Sequence, residues 1–191
     1  MYLVVRRGAF SDLATGGELA GAAAVACVRS FPVPDEWRAR PGKVTLRART
    51  GGQWNQVLEL PHALAGEAVA ALPPVRRSER APVLAKLQAM STELEPPPES
   101  APRDRLTYLL NPRITMSTGK TLAQIAHAAV LAATALPAWA DAGCPGYVVL
   151  PQPEAFDAPD GCVAEVVDAG LTEVAPGTVT VRALAPAILA A

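Results

Sequence analysis

Hydrophobic and polar positions recur along this chain with two periods, which predict strands and helices. Short aliphatic runs predict strands, and the Ala-rich segments 14–26 and 116–133 space their apolar residues as amphipathic helices do. Each of these helices stands between two predicted strands, an order that favours a parallel pair joined by a helical crossover. The predicted strands are residues 2–6, 43–48, 67–73, 107–111, 147–151, 162–170 and 178–184. Shorter helices are predicted at residues 53–60, 81–90 and 153–159.

The helix predicted at 116–133 carries a polar stripe. At about 100° per residue, Gln124 and His127 fall within about 40° of Lys120, and the opposite side is apolar and suited to burial against a sheet. A lysine in the first turn opposes the positive end of the helix dipole, so we expect an anionic partner beside it. Two plainer interpretations stay open: a lone histidine on a helix is often structural, and Thr-Gly-Lys lacks the upstream glycine of a phosphate-binding loop. The apolar side consists of Leu122, Ile125, Ala126 and Ala129.

The chain divides into two halves of similar pattern. A proline-rich segment, residues 94–105, is predicted to link residues 1–93 to residues 106–191. The helical segments of the halves align without a gap, which indicates two tandem pseudo-repeated halves. Small residues replace the polar stripe in the first copy, so we expect a structural first half and a second half that holds the site. In the order of Lys120, Gln124 and His127, the replacements are Gly17, Gly21 and Ala24.

Composition excludes several classes of protein. The net charge of −1 argues against a strong general attraction to nucleic acid or membranes. No apolar run approaches the roughly 20 residues of a membrane span, and the first residues lack a signal-peptide pattern, so we expect a cytoplasmic protein. The chain has 2 histidines and 3 cysteines without a C-x-x-C pair, so we predict no metal site and no cofactor. We expect the cysteines to be buried as small hydrophobic residues of a protein in a reducing compartment. The cysteines are Cys27, Cys144 and Cys162.

Basic residues are concentrated between positions 29 and 49. This stretch has two interpretations, an ordinary solvated edge or a contact region for a polyanion such as RNA. The sequence alone leaves both open, because it does not say whether the stretch faces the predicted site. The residues concerned are Arg29, Arg38, Arg40, Lys43, Arg47 and Arg49.

A second motif, DAGLTEVAPGTVTV at residues 168–181, follows a predicted strand. Asp168 stands at the carboxyl end of that strand, where open α/β sheets place their sites, although an Asp-Ala-Gly turn alone is common. Together with TGKTLAQIAHAA at 118–129, this motif resembles the type-2 peptidyl-tRNA hydrolases of archaea and eukaryotes. Their patterns are G-K-x-x-A-Q-x-x-H-A-A and D-A-G-x-T-x-x-A-P-G-[ST]-x-T-V, and this chain meets every fixed position of both. The resemblance covers roughly residues 106–186.

The resemblance implies a fold, a reaction and a set of site residues. The implied fold is α/β, a three-layer α/β/α arrangement with a mixed four-stranded sheet. Family members resemble homodimers, so the two halves here would form a pseudo-dimer within one chain. The implied reaction is hydrolysis of the ester that joins a peptide to the 3′ ribose of tRNA, and no Ser-His-Asp or Cys-His set points to a covalent route. The implied catalytic residues are Lys120, Asp168, Thr172 and Thr180. The implied substrate-binding residues are Gly119, Gln124, His127 and Thr178.

The implied chemistry assigns a role to each group. Ester hydrolysis needs an oriented water and positive charge facing the developing oxyanion. Asp168 would orient or activate the water, and Lys120 would stabilise the oxyanion or hold the terminal phosphate. The threonine hydroxyls would position water. We therefore expect Lys120 and Asp168 to lie in one cleft.

Several departures from the family pattern remove positive charge near the predicted site. Leu171 and Asn111 stand where the family often has arginine, Glu173 stands where glutamine is usual, and residues 183–186 replace a glycine-rich segment. Two alternatives to the peptidyl-tRNA hydrolase therefore stay open. One is a non-catalytic module that keeps the fold and binds an RNA end or a protein partner. The other is a hydrolase of smaller esters or amides.

Overall fold

The structure, a computed structural model, describes residues 1–39 and 41–187. These residues form two mixed β-sheets and seven α-helices, which confirms the predicted mixed α/β class. The strands are β1 (Tyr2–Arg6), β2 (Val44–Ala48), β3 (Ala63–Ala65), β4 (Val69–Leu72), β5 (Gln88–Ala89), β6 (Leu106–Leu110), β7 (Gly146–Val149), β8 (Cys162–Val167) and β9 (Val179–Leu184). The helices are α1 (Leu13–Ser30), α2 (Asp35–Ala39), α3 (Gly51–Leu58), α4 (Pro82–Lys86), α5 (Thr118–Ala135), α6 (Pro137–Asp141) and α7 (Pro153–Asp157).

The two sheets have related strand orders. The first runs β3-β4-β1-β2-β5, and the second runs β7-β6-β9-β8. In each sheet the central strand pairs in parallel with the strand that follows the long helix, so the predicted parallel pairs are confirmed. The same central strand pairs antiparallel with the second strand of a hairpin, β4 or β9. The order β3-β4-β1-β2 therefore has the same sequence of partners as β8-β9-β6-β7.

Two strands of the first sheet differ from the sequence prediction. The predicted helix at 81–90 ends at Lys86, and Gln88–Ala89 instead pairs with Leu46 and Arg47 as a fifth strand. The hairpin strand Ala63–Ala65 had not been predicted. Both strands are too short to show an alternating pattern, and their partner strands fix them.

Helices α1 and α5 pack against each other and contact both sheets. Helix α1 contacts β3, β4 and also β7, while α5 contacts β8, β9 and also β2. Val25 of α1 is buried in the core of the second half, and Leu122 and Ala126 of α5 are buried in the core of the first. Each half therefore contributes buried residues to the core of the other. On the other face of the first sheet, Trp54, Val57 and Leu84 from α3 and α4 form a further cluster.

Glycines allow α1 to approach the second half closely. A Cβ at Gly17 would lie 2.7 Å from Val148 Cγ2 and 2.8 Å from Ile125 Cδ1. A Cβ at Gly21 would lie 3.2 Å from the Cβ of Ala129. In the alignment of the two helices, Gly17 and Gly21 correspond to Lys120 and Gln124 of α5. The face of α1 that lacks the polar stripe is therefore the face that packs against the other half.

The proline-rich segment 94–105 is hydrogen-bonded to both halves. The N–H of Leu13 donates to the carbonyl of Glu95 over 2.9 Å, and the N–H of Leu150 donates to the carbonyl of Pro98 over 2.9 Å. The segment is thus packed along the halves as well as connecting them. None of the helices in residues 1–39 and 41–187 combines the length and apolar character that a bilayer crossing requires.

The expectation that all three cysteines are buried is wrong for one of them. Cys27 and Cys144 are buried, but Cys162 is exposed. Cys162 begins β8, which is an edge strand of the second sheet, so its side chain has no neighbouring strand on one side.

Candidate functional site

The site is built where α5 begins and β8 ends. Lys120 lies in the first turn of α5, and Asp168 is the first residue after β8. The Lys120 ammonium forms an ion pair with Asp168 Oδ2, and the two side chains are only 16% and 7% exposed. The residues are 48 positions apart, so the expected convergence of their side chains is confirmed.

Three further groups converge on this ion pair. The amide of Gln124 donates to Asp168 Oδ2, and the backbone N–H of Gly170 donates to Oδ1 over 2.8 Å. Lys120 Nζ also donates to the hydroxyl of Thr172 over 3.2 Å. Four of the residues named from the sequence, Lys120, Gln124, Asp168 and Thr172, are therefore in direct contact.

The surroundings of Asp168 keep its carboxylate ionised. Burial is the largest single influence and raises the pKa of Asp168. The hydrogen bonds from Lys120, Gly170 and Gln124, together with the charge of Lys120, outweigh burial, so the pKa lies below the ordinary 3.8. An ionised carboxylate accepts hydrogen bonds and can orient a water, and one of low pKa is a weak base at neutral pH.

The loop between β8 and β9 is held in a fixed shape by its own backbone. The N–H of Asp168 donates to Thr178 O over 2.8 Å, and the N–H of Gly177 donates to Asp168 O over 2.9 Å. Gly170 has φ +73°, and a Cβ there would lie 2.5 Å from Pro176. Glycine is therefore required at the position whose N–H holds the Asp168 carboxylate.

Two of the predicted threonines serve the backbone and do not contact the ion pair. The Thr178 hydroxyl donates to Ala175 O over 2.7 Å, inside the loop. Thr180 is fully buried, and its hydroxyl donates to Val166 O over 3.2 Å, across the β8–β9 pair. These hydroxyls fix the loop and the strands that carry Asp168. The predicted strand at 178–184 begins one residue later, at Val179.

The anionic partners expected at the start of α5 are side chains of the chain itself. Glu173 accepts hydrogen bonds from the backbone N–H of Ser117 over 2.7 Å and from its hydroxyl over 2.8 Å. An acidic side chain at this end of a helix also interacts favourably with the helix dipole. Sequence reasoning had named Glu173 only as a departure from the family pattern. A serine N-cap and a carboxylate 56 positions away carry no local pattern that pairs them.

Gly119, predicted to bind substrate, contacts the first half of the chain. Its N–H donates to the carbonyl of Met90 over 3.0 Å. A Cβ at this position would lie 2.6 Å from that oxygen. The N–H is thus engaged within the fold, and glycine is needed because α5 starts in contact with the backbone of the first half.

The pKa of His127 is influenced by charged residues from both halves of the chain. Its side chain is half-buried, and burial lowers the pKa of His127 to about 3. The charge of Lys43 lowers this pKa further, and the charge of Asp168 raises it. The imidazole is therefore neutral at physiological pH, and Lys43, from the first half, is close enough to affect it.

The basic side chains of this stretch that the structure describes have separate partners and do not form a single patch; they are those of Arg29, Lys43, Arg47 and Arg49. Arg29 pairs with Asp141 at the surface, and the Arg49 guanidinium donates to Gln88 over 3.0 Å. Arg38 belongs to α2, and Arg40 lies outside the described residues. Lys43 Nζ lies 4.8 Å from the centre of the Trp37 ring, and Arg47 donates to the Thr92 hydroxyl.

Comparison of the chain with protein-family models, with curated proteins and with solved structures yields no match. Function is therefore inferred from the geometry of the site. Within residues 1–39 and 41–187, no group of three or more His, Cys, Asp or Glu side chains is placed to hold a metal ion. The arrangement that needs an explanation is a buried carboxylate held by an ammonium, an amide and a backbone N–H.

Proposed function

We propose that this chain is a peptidyl-tRNA-hydrolase-like enzyme that hydrolyses the ester between a peptide and the 3′ ribose of tRNA. The observation that carries the proposal is the convergence of Lys120, Gln124 and Thr172 around the Asp168 carboxylate. These residues come from the two motifs that resemble the family. Their contact across the sequence supports a single site.

The arrangement fits hydrolysis by an oriented water. The Asp168 carboxylate accepts a hydrogen bond from the attacking water and fixes its orientation. As the water oxygen bonds to the carbonyl carbon, negative charge develops on the carbonyl oxygen, and the Lys120 ammonium faces it. An ammonium has three donors, and Asp168 and Thr172 use two of them, which leaves one for the oxyanion. The ester C–O bond then breaks, and the 3′ oxygen leaves as a hydroxyl with the proton that the attacking water gives up, so the water supplies both the oxygen of the new carboxyl group and the hydrogen of the new hydroxyl group.

We also infer that the two halves are tandem copies of one unit. The shared strand order β3-β4-β1-β2 and β8-β9-β6-β7 supports this, as does the equal length of α1 and α5, 18 residues each. Helices on both faces of the first sheet support a three-layer α/β/α unit. In the first half, only residues 66–68 connect the hairpin strands, whereas residues 168–178 do so in the second. The first copy, residues 1–93, thus has no counterpart of the Asp168 loop and serves as a scaffold.

Release of labelled peptide from N-blocked aminoacyl-tRNA tests the proposal. Asp168→Asn and Lys120→Met are each expected to lower kcat/KM by at least about 10²-fold, because each removes a group that acts on the transition state. Asp141→Asn is the matched control, since it makes the same chemical change in a surface ion pair. Full turnover in Asp168→Asn would refute the proposal, provided that circular dichroism shows each variant to be folded.

A second candidate is a non-catalytic module that binds an RNA end or a protein partner. The favouring observation is Leu171, which is 87% exposed in the site loop, at a position where the resembled family often carries arginine. No turnover by the wild-type chain, together with salt-sensitive binding of deacylated tRNA, would favour this candidate. Turnover of a small aminoacyl ester but not of peptidyl-tRNA would instead indicate a hydrolase of smaller substrates.

A further inference from the structure

One face of β2 carries polar side chains in an otherwise apolar interior. Thr45 and Arg47 of β2 alternate with Lys43, the residue directly before the strand, so the three lie on one face of this extended segment. The residues between and beyond them, Leu46 and Ala48, pack on the opposite face with the cluster of α3 and α4. The face with the three polar residues is turned toward α5, which contacts β2. We call these three residues the β2 polar face.

Each residue of the β2 polar face has a buried polar atom without a hydrogen-bond partner among the described residues. The atoms are Lys43 Nζ, Thr45 Oγ1 and Arg47 Nε. A buried donor that makes no hydrogen bond costs folding free energy, and a buried cation costs more. Three such atoms on one strand face therefore indicate a requirement other than stability.

The second sheet shows that this polarity is not imposed by the fold. Strand β7 pairs in parallel with β6 as β2 pairs with β1, and it contacts α1. Its side chain toward α1 is Val148, which is buried against Gly17. The strand beside the helix without a polar stripe is thus apolar at this point. The polar face occurs beside α5, the helix that carries Lys120, Gln124 and His127.

We propose that the β2 polar face is a subsite for a phosphate group of the substrate's RNA end. The assignment of this phosphate to RNA rests on the proposed function, whereas the subsite itself rests on the unpartnered donors of Lys43, Thr45 and Arg47. Lysine, arginine and a hydroxyl supply charge-assisted and neutral hydrogen bonds to a phosphate. They also supply positive charge that the second half of the chain lacks, because its acidic residues outnumber its basic ones.

His127 is a further residue near the subsite. It belongs to α5, which contacts β2, and the charges of both Lys43 and Asp168 influence its pKa. Its neutral ring has one N–H donor for a phosphate oxygen. Burial lowers the pKa of Lys43 to about 7, so a phosphate bound beside it would keep this side chain charged. The subsite would thus hold the nucleic-acid part of the substrate while Lys120 and Asp168 act on the ester.

Binding of a trinucleotide RNA with a 5′-phosphate, measured by calorimetry on the full chain, tests the subsite. Lys43→Met and Arg47→Met are each expected to weaken binding roughly tenfold relative to wild type, as for the loss of one charge-assisted hydrogen bond. The matched control is Arg76→Met, which removes a cation whose side chain is 72% exposed in a surface pair. The same RNA with a 5′-hydroxyl and inorganic phosphate serve as comparison ligands. Thermal unfolding checks that each variant is folded, and Lys43→Met is expected to be at least as stable as wild type.

The outcomes separate this subsite from the proposed reaction. If wild type releases peptide and the Lys43 and Arg47 variants leave both KM and RNA affinity unchanged, the subsite is overturned and the hydrolase stands. If wild type releases no peptide but binds the phosphorylated RNA through these two residues, the subsite stands and the hydrolase fails. The 5′-hydroxyl RNA still carries two internal phosphates, so the phosphate assignment is overturned if inorganic phosphate does not compete with the RNA. A raised KM with unchanged kcat is the result expected for binding that is equal in ground and transition states.

Discussion

Replacing Lys120 by methionine removes a cation from the buried ion pair and keeps an unbranched apolar side chain of similar length. Removing one partner of a buried ion pair costs about 3–5 kcal/mol, because the other charge stays buried. Asp168 would retain the hydrogen bonds from Gly170 and Gln124, so we expect a loss near the lower limit, about 3 kcal/mol. For a chain of 191 residues this corresponds to a Tm lower by roughly 6–12 °C.

The same substitution has a defined dependence on pH. The pKa of Asp168 is lowered in the folded chain, so the ionised carboxylate contributes stability above its unfolded pKa, and this contribution is lost as pH falls through the folded value. In Lys120→Met the strongest of the lowering hydrogen bonds is gone and burial raises the pKa of Asp168. The wild type is therefore expected to lose more stability on acidification than the variant, and the difference between them should narrow below about pH 4.

Urea unfolding followed by circular dichroism at pH 7, 4 and 3 measures these differences. Arg29→Met is the control, because it breaks an ion pair whose side chains are 47% and 66% exposed, and only a small change in the midpoint is expected. An unfolding free energy equal to wild type in Lys120→Met at pH 7, with an unchanged pH profile, would show that the buried pair does not form in solution. The reasoning about the site would then fail with it.

Three further substitutions or titrations test neighbouring features. Gly119→Ala places a Cβ 2.6 Å from Met90 O and should lower the free energy of unfolding, measured in urea, by about 2 kcal/mol. The control is Gly51→Ala, where the added Cβ meets open space and stability should be unchanged or slightly higher. Equal effects of the two substitutions would contradict the close contact at Gly119. Glu173→Gln removes the negative charge at the start of α5 and should cost about 1 kcal/mol in the same assay, and no loss would argue against the cap. In an NMR titration His127 should stay neutral down to about pH 4, because burial lowers its pKa to about 3, and protonation near pH 6.5 would exclude that burial.

Sequence reasoning located the helices and strands that are long enough to show a hydrophobic period. The apolar spacing of 14–26 and 116–133 predicted α1 and α5, and the aliphatic runs predicted both central strands. It missed the strand Ala63–Ala65 and extended a helix over Gln88–Ala89, because segments of two or three residues carry no period of their own. Their structure is decided by hydrogen bonds to strands distant in the sequence.

The part of the candidate site that belongs to the two motifs could be predicted from the sequence. The motifs named Lys120, Gln124, Asp168 and Thr172, and these four are in contact. They did not identify the hydrogen bond from Gly119 to Met90 or the influence of the Lys43 charge on the pKa of His127. Both depend on how the first half packs on the second, and no local pattern encodes that packing. The same packing turns the basic stretch into separate surface and interior residues.

The glycines of α1 account for a single candidate site in a chain whose two sheets have corresponding strand orders. A second site would need polar side chains at Gly17 and Gly21, the positions that correspond to Lys120 and Gln124. A Cβ at Gly17 already falls within 2.8 Å of atoms of the second half, and one at Gly21 within 3.2 Å, so no longer side chain fits there while the halves stay packed. The face that could have carried a second site is therefore the face that joins the halves. The same small residues therefore account for the absence of a polar stripe from α1 and for its close packing against the second half, and the polar stripe of α5 lies on the helix that contacts β2.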